Sequence, residues 1–129
     1  MKYLLSSKRT SCKLTSKFNI TSHIEELLDS NNFYLGLVES NFFGTAYNLY
    51  DGDETKKERQ ILATICYENQ ITCKSEPRNI EVYIISPLYS YDKLEGVDGE
   101  KNLKELYEIS SNAEQKRILK LINKKPKWN

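Results

Sequence analysis

A chain of 129 residues is long enough for one domain with a modest core. Its charged residues, 29% of the total, balance to a net charge of +1, so no strong field draws nucleic acid or a membrane, and any anion binding would rest on a local patch. Three cysteines (Cys12, Cys66 and Cys73) without C-x-x-C spacing fit idle thiols in a reducing compartment better than a disulfide scaffold, and the single His23 leaves little from which to assemble a His–Cys zinc site.

Taken in order, the alternation of apolar residues predicts a short strand over Lys2–Ser6, a polar and basic hairpin-like loop over Ser7–Ser16, and a strand over Lys17–Thr21. Ser22 with Glu25 has the spacing of a capping box, opening a short helix with Leu27 and Leu28 on its apolar side. The richest stretch is Phe33–Asp51, FYLGLVESNFFGTAYNLYD. It predicts two strands joined by a tight Ser-Asn corner, broken near the middle by Gly44 and followed by an exposed loop. From Thr45 it alternates, with Thr45, Tyr47 and Leu49 on one face and Ala46, Asn48 and Tyr50 on the other.

Asp51–Glu58 is a charged loop; it lacks the glycine and terminal glutamate of a calcium-binding EF-hand and is expected to be solvated. Arg59–Glu68 is expected to be a strand buried on both sides, with Ala63 and Ile65 opposed to Leu62, Thr64 and Cys66. After a connector, Arg78–Ser86 alternates Ile80, Val82 and Ile84 against Asn79, Glu81 and Tyr83, again a strand. A long loop over Pro87–Glu100 leads to Lys101–Ile109, where Leu103, Leu106 and Tyr107 fall on one helical face. Arg117–Asn123 is compatible with a helix by spacing alone. No apolar run approaches the ~20 residues that span a bilayer, and Met1–Ser7 is too short for a signal peptide. No P-loop, G-x-S-x-G or H-E-x-x-H motif is present, so the chain is expected not to be an enzyme and to need no cofactor or metal.

Several segments resemble one family. YLGLVESNFFGTAYNLYD, within Phe33–Asp51, is similar to the tubby-like signature. So are the early strand pair within residues 2–21, the Arg59-Gln60-x-Leu62-Ala63 strand, the Pro77-Arg78 strand, and the final ILKLINKKPKWN. The resemblance implies a mainly β (β+α) fold, an antiparallel tubby-like barrel around a central hydrophobic helix, with the aromatics of Phe33–Asp51 facing a core. Here it would be incomplete: residues 1–129 would form a single partial domain without the closing strands and that helix. It also makes Arg117–Asn123 a strand.

In function, the resemblance implies a non-enzymatic module that binds phosphatidylinositol 4,5-bisphosphate and acts as a membrane adaptor. It would work in the cytoplasm at the inner face of the plasma membrane, with the nucleus as a further compartment. Convergent cations would hold the phosphates. The family's arginines match Arg59 and Arg78, and Lys17 stands where the family carries Asn. The family also has a Lys and an Arg after the glycine of its Tyr-Ile-Gly strand, and those positions are Leu37 and Glu39 here. This departure supports an alternative, a tubby-like protein-interaction scaffold that has lost phosphoinositide binding. On electrostatics alone, changing Leu37 to Lys and Glu39 to Arg should then raise lipid binding. Nucleic acid, a third partner class, is disfavoured by the near-neutral charge.

Overall fold

The computed structural model describes residues 5–11, 14–22, 34–51, 60–67, 79–88 and 102–124. Seven strands make one sheet: β1 (Ser6–Ser11), β2 (Ser16–Thr21), β3 (Tyr34–Ser40), β4 (Ala46–Asp51), β5 (Ile61–Tyr67), β6 (Ile80–Ile85) and β7 (Ile118–Ile122). Strand order follows chain order, and every neighbouring pair is antiparallel. The sheet is an open meander with β1 and β7 at its edges, as an incomplete tubby-like barrel would be. Two short helices, α1 (Leu103–Ile109) and α2 (Asn112–Gln115), lie between β6 and β7.

The register sorts side chains into rows. One row crosses six strands as Lys17, Glu39, Asn48, Thr64, Tyr83 and Lys120. Beside it on the same face run Asn19, Leu37, Tyr50 and Ile61. The opposite face carries Phe18, Val38, Leu49, Ala63, Ile84 and Leu119 in one row, and Tyr47, Ile65, Val82 and Leu121 in the next.

Helix α1 packs on the first face, against β5 and β6. Leu103 and Leu106 are buried there with Ile61, Tyr83, Ile85 and Ile118, and Tyr50, Cys66 and Tyr107 pack at the margin. A helix of seven residues cannot stand alone in water, so this packing is what holds it. Two polar contacts fix its start. The Asn102 side chain accepts from Glu105 N at 2.9 Å as an N-cap. Buried Thr64 accepts from Leu103 N at 3.0 Å while donating to Asn48 Oδ1 at 2.8 Å.

The strands over 16–21, 34–51, 61–67, 80–85 and 118–122 and the helix over 103–109 follow the sequence reading, and the ambiguous segment at 118–122 is a strand. Four features differ. The first strand occupies Ser6–Ser11, within the stretch read as a loop. Among the described residues it is an edge strand, paired only with β2, so its side chains need not alternate apolar and polar. Strand β5 is not buried on both sides: Ile61 and Thr64 are buried, whereas Ala63 and Ile65 are half-buried, because α1 covers only one face. The same cover buries Tyr83 and Ile85 of β6 and leaves Ile80, Val82 and Ile84 half-exposed. Finally, Phe42 and Phe43 face solvent rather than a core. The helix expected after Ser22 falls outside the described residues.

Candidate functional site

Lys17 lies on β2 directly opposite Glu39 of β3. Its Nζ is 3.7 Å from Glu39 Oε1, and both side chains keep only about a quarter of their exposure, 22% and 28%. Thr15 Oγ1 donates a long 3.5 Å hydrogen bond to the same carboxylate oxygen. The one described cation of the sequence-predicted set is therefore paired with an anion. Leu37 is fully buried, with its Cα partners Asn19 and Tyr50 on either side. Among the described residues Asn19 Oδ1 is a buried acceptor without a hydrogen-bond partner, in the same row as Leu37. What sits at this position is an apolar plug, an internal ion pair and an acceptor.

Arg59 and Arg78 lie outside the described residues. Their described neighbours, Gln60 and Asn79, flank opposite ends of the β5–β6 pair, on the order of 20 Å apart by strand rise.

A second group of charges gathers where sequence reading saw only scattered surface residues. Glu81 of β6 takes the Lys104 ammonium of α1 at 3.0 Å on Oε2, Lys120 of β7 at 3.2 Å on Oε1, and the Tyr83 hydroxyl at 3.0 Å on Oε2. Lys120 also lies 5.6 Å from the Tyr83 ring centroid and 5.9 Å from that of Tyr107. The Lys104 hydrogen bond, followed by those from Lys120 and Tyr83, holds the Glu81 carboxyl down at about 2, and the hydrogen bond to Glu81 raises both lysines. This hub ties α1 to β6 and β7. Its members come from three distant segments, and no local spacing marks them.

Beside the hub is a cleft of about 350 Å³ that reaches Cys66, Tyr67, Asn79 and Asn123. Burial pushes the Cys66 thiol up, so it stays protonated and unreactive at neutral pH. Asn123 is committed to structure, accepting from Ile80 N at 2.8 Å. Among the described residues no three His, Cys, Asp or Glu side chains gather to hold a metal, and no helix is long and apolar enough to cross a membrane.

The hub has a pH signature. A carboxyl whose folded value lies near 2, below its ordinary 4.5, contributes stability that is fully present above the ordinary value and is lost as pH falls towards 2. With Glu81 still 27% exposed, solvent screening trims this to about 1–2 kcal/mol. Unfolding free energies from urea titrations at pH 6 and pH 3 should differ by about 1 kcal/mol from this source in the parent chain. Glu81→Gln should lower the pH 6 value and remove this part of the difference; an unchanged difference would mean that other carboxylates carry it.

The sequence model of the Tub family matches residues 1–129, the whole chain. The chain is 25% identical to tubby-related protein 3 of Mus musculus over 98% of its own length and 30% of the relative's. It is 29% identical to protein king tubby of Drosophila pseudoobscura pseudoobscura and 24% identical to that of Drosophila virilis, over 98% of this chain and 28% and 29% of theirs. It thus spans less than a third of the length of these curated relatives. The matched segments take in the strand signature around Gly36 and Gly44, the open antiparallel meander agrees with the barrel that signature implies, and the chain belongs to the tubby family.

Proposed function

We propose that this chain is part of a tubby-like protein-interaction scaffold that does not hold a phosphoinositide headgroup at the β2–β3 position. The observation that carries this reading is the state of the two departed positions: Leu37 is fully buried, and Glu39 is ion-paired with Lys17. A polyphosphate arriving there would meet a carboxylate that already pairs with Lys17. The scaffold works by contact rather than chemistry, in the cytoplasm.

The second reading is a phosphoinositide-dependent membrane adaptor using Lys17, Arg59 and Arg78. It is favoured by the place of Lys17 on the same sheet face as Leu37, one row away. Co-sedimentation with phosphatidylcholine/phosphatidylserine liposomes, with and without phosphatidylinositol 4,5-bisphosphate at matched total charge, separates the two. The scaffold reading expects equal pelleting from both. Extra pelleting that requires the phosphoinositide, and that disappears when Lys17, Arg59 and Arg78 are changed to Ala, would establish the adaptor instead.

A further inference from the structure

At one end of the sheet two neighbouring turns carry large apolar side chains into solvent. Leu14, between β1 and β2, is 66% exposed; Phe42 and Phe43, between β3 and β4, are 65% and 79% exposed. The two rings touch each other edge to face at 5.2 Å. The tip that carries them is rigidly built. Gly44 N donates to Asn41 O at 3.2 Å, and Gly44 adopts φ +66°, which closes the turn. The Asn41 side chain accepts from Thr45 N at 2.9 Å and Ala46 N at 3.2 Å and donates to Thr45 Oγ1 at 2.8 Å. Asn41 N donates to Ala46 O at 2.9 Å. Ser16 N donates to Ser40 Oγ at 2.9 Å, joining the bases of the two turns. Four N–H groups of this tip (residues 41, 44, 45 and 46) are thus satisfied internally.

We propose that this tip inserts into the interfacial layer of an anionic phospholipid surface, with Phe42, Phe43 and Leu14 entering the acyl boundary and Arg9 meeting lipid phosphates. Three properties select lipid over a protein pocket. The apolar residues stand exposed together at one end of the sheet, a placement that enters a fluid surface without needing a complementary hollow. Four of the six amides over residues 41–46 are already bonded, which lowers the cost of taking the turn's base out of water, while those of Phe42 and Phe43 at the apex stay free for headgroup oxygens or interfacial water. Arg9 lines the groove of about 310 Å³ that also touches Leu14, Phe42 and Phe43, so a cation stands where the headgroups would lie. Its guanidinium donates to Ser16 Oγ at 3.1 Å and, with five N–H donors in all, keeps others for a phosphate. This attachment uses residues separate from Lys17, Arg59 and Arg78. It needs net negative lipid but no polyphosphoinositide.

The test uses the full chain carrying Phe43→Trp and Trp128→Phe, so that the only indole sits at the tip. Vesicles of phosphatidylcholine with one-fifth phosphatidylserine should shift its emission to the blue, and bromine-labelled acyl chains should quench it. The Phe42→Ser, Phe43→Ser variant, checked for an unchanged circular dichroism spectrum and melt, should partition about tenfold more weakly or worse. Arg9→Gln should reduce binding to the anionic vesicles and leave the small residual binding to pure phosphatidylcholine unchanged. An indole that keeps its aqueous emission in the presence of vesicles overturns the proposal and leaves the tip as a protein contact. Equal partitioning of the folded double-serine variant overturns it as well.

Discussion

Replacing Tyr83 by alanine is expected to unfold this chain or bring it close to unfolding. The residue is fully buried in the middle of the core beneath α1, its ring centroid 5.5 Å from that of Tyr107. Truncating a buried aromatic to alanine costs about 3–5 kcal/mol through lost burial and the cavity left behind. That is a large share of the roughly 5–15 kcal/mol that stabilises a domain. The loss should exceed the usual figure at this site, because Tyr83 also donates to Glu81, the carboxylate that gathers Lys104 and Lys120. With the ring gone, α1 loses its apolar floor and the hub loses a donor together. Tyr83→Phe keeps the floor and removes only the hydroxyl, so it should cost about 1 kcal/mol. Thermal melts followed by circular dichroism distinguish the two: a fall of roughly 10 °C or more for alanine, a few degrees for phenylalanine. Equal shifts would mean that the hydroxyl, not the ring, is what the core depends on.

The contrast within β6 explains how much of this was readable. The alternation of Ile80, Val82 and Ile84 gives the strand, because period two is a property of the backbone and survives any environment. It does not give which face is covered. That depends on where α1 lands, and α1 is separated from β6 by a long connection. Apolarity alone would have buried the isoleucine face, yet Tyr83 and Ile85 are the buried ones. Strand β1 was missed for a related reason. An edge strand bonds on one side only, and nothing in Ser6–Ser11 needs to be apolar.

Around the β3–β4 corner the local chemistry was legible and the direction was not. Asn41, Gly44 and Thr45 announce a turn, and they make it through the bonds such residues make. The resemblance implies aromatics facing a core over the whole stretch, but Phe42 and Phe43, at the apex of a two-stranded turn, have no sheet surface to lie against. The Glu81 hub was invisible because β6, α1 and β7 supply one or two members each, and each of them taken alone is an ordinary surface charge. At the candidate lipid position the sign of the charge at Glu39 is legible from the residue itself, but the burial of Leu37 follows from packing between β2, β3 and β4 and changes what a substitution there would do.

That change is the basis of the second large effect. Read from charge alone, Leu37→Lys with Glu39→Arg should create a phosphate site. In the folded chain Leu37 has no exposure, so a lysine there must bury an ammonium or force the strands to part. An uncompensated buried charge costs several kcal/mol, on the order of 3–5 when the site offers no partner. The double variant is therefore expected to melt at least about 10 °C below the parent and to lose soluble protein rather than gain ligand. Glu39→Arg by itself is different. Glu39 is 28% exposed, and its pair with Lys17 at 3.7 Å is worth at most about 1 kcal/mol, so the fold should survive the exchange. Lys17 and the new arginine would then face each other across β2 and β3, two half-buried cations on the face that α1 covers further along at β5 and β6. Their mutual repulsion is what a polyphosphate relieves. Glu39→Arg should thus pellet with phosphoinositide vesicles more than the parent does, while adding Leu37→Lys removes the folded chain that could bind. If Leu37→Lys is tolerated with an unchanged melt, the burial at Leu37 is not what excludes a cation from this position, and the charge of Glu39 alone must account for the difference from the family.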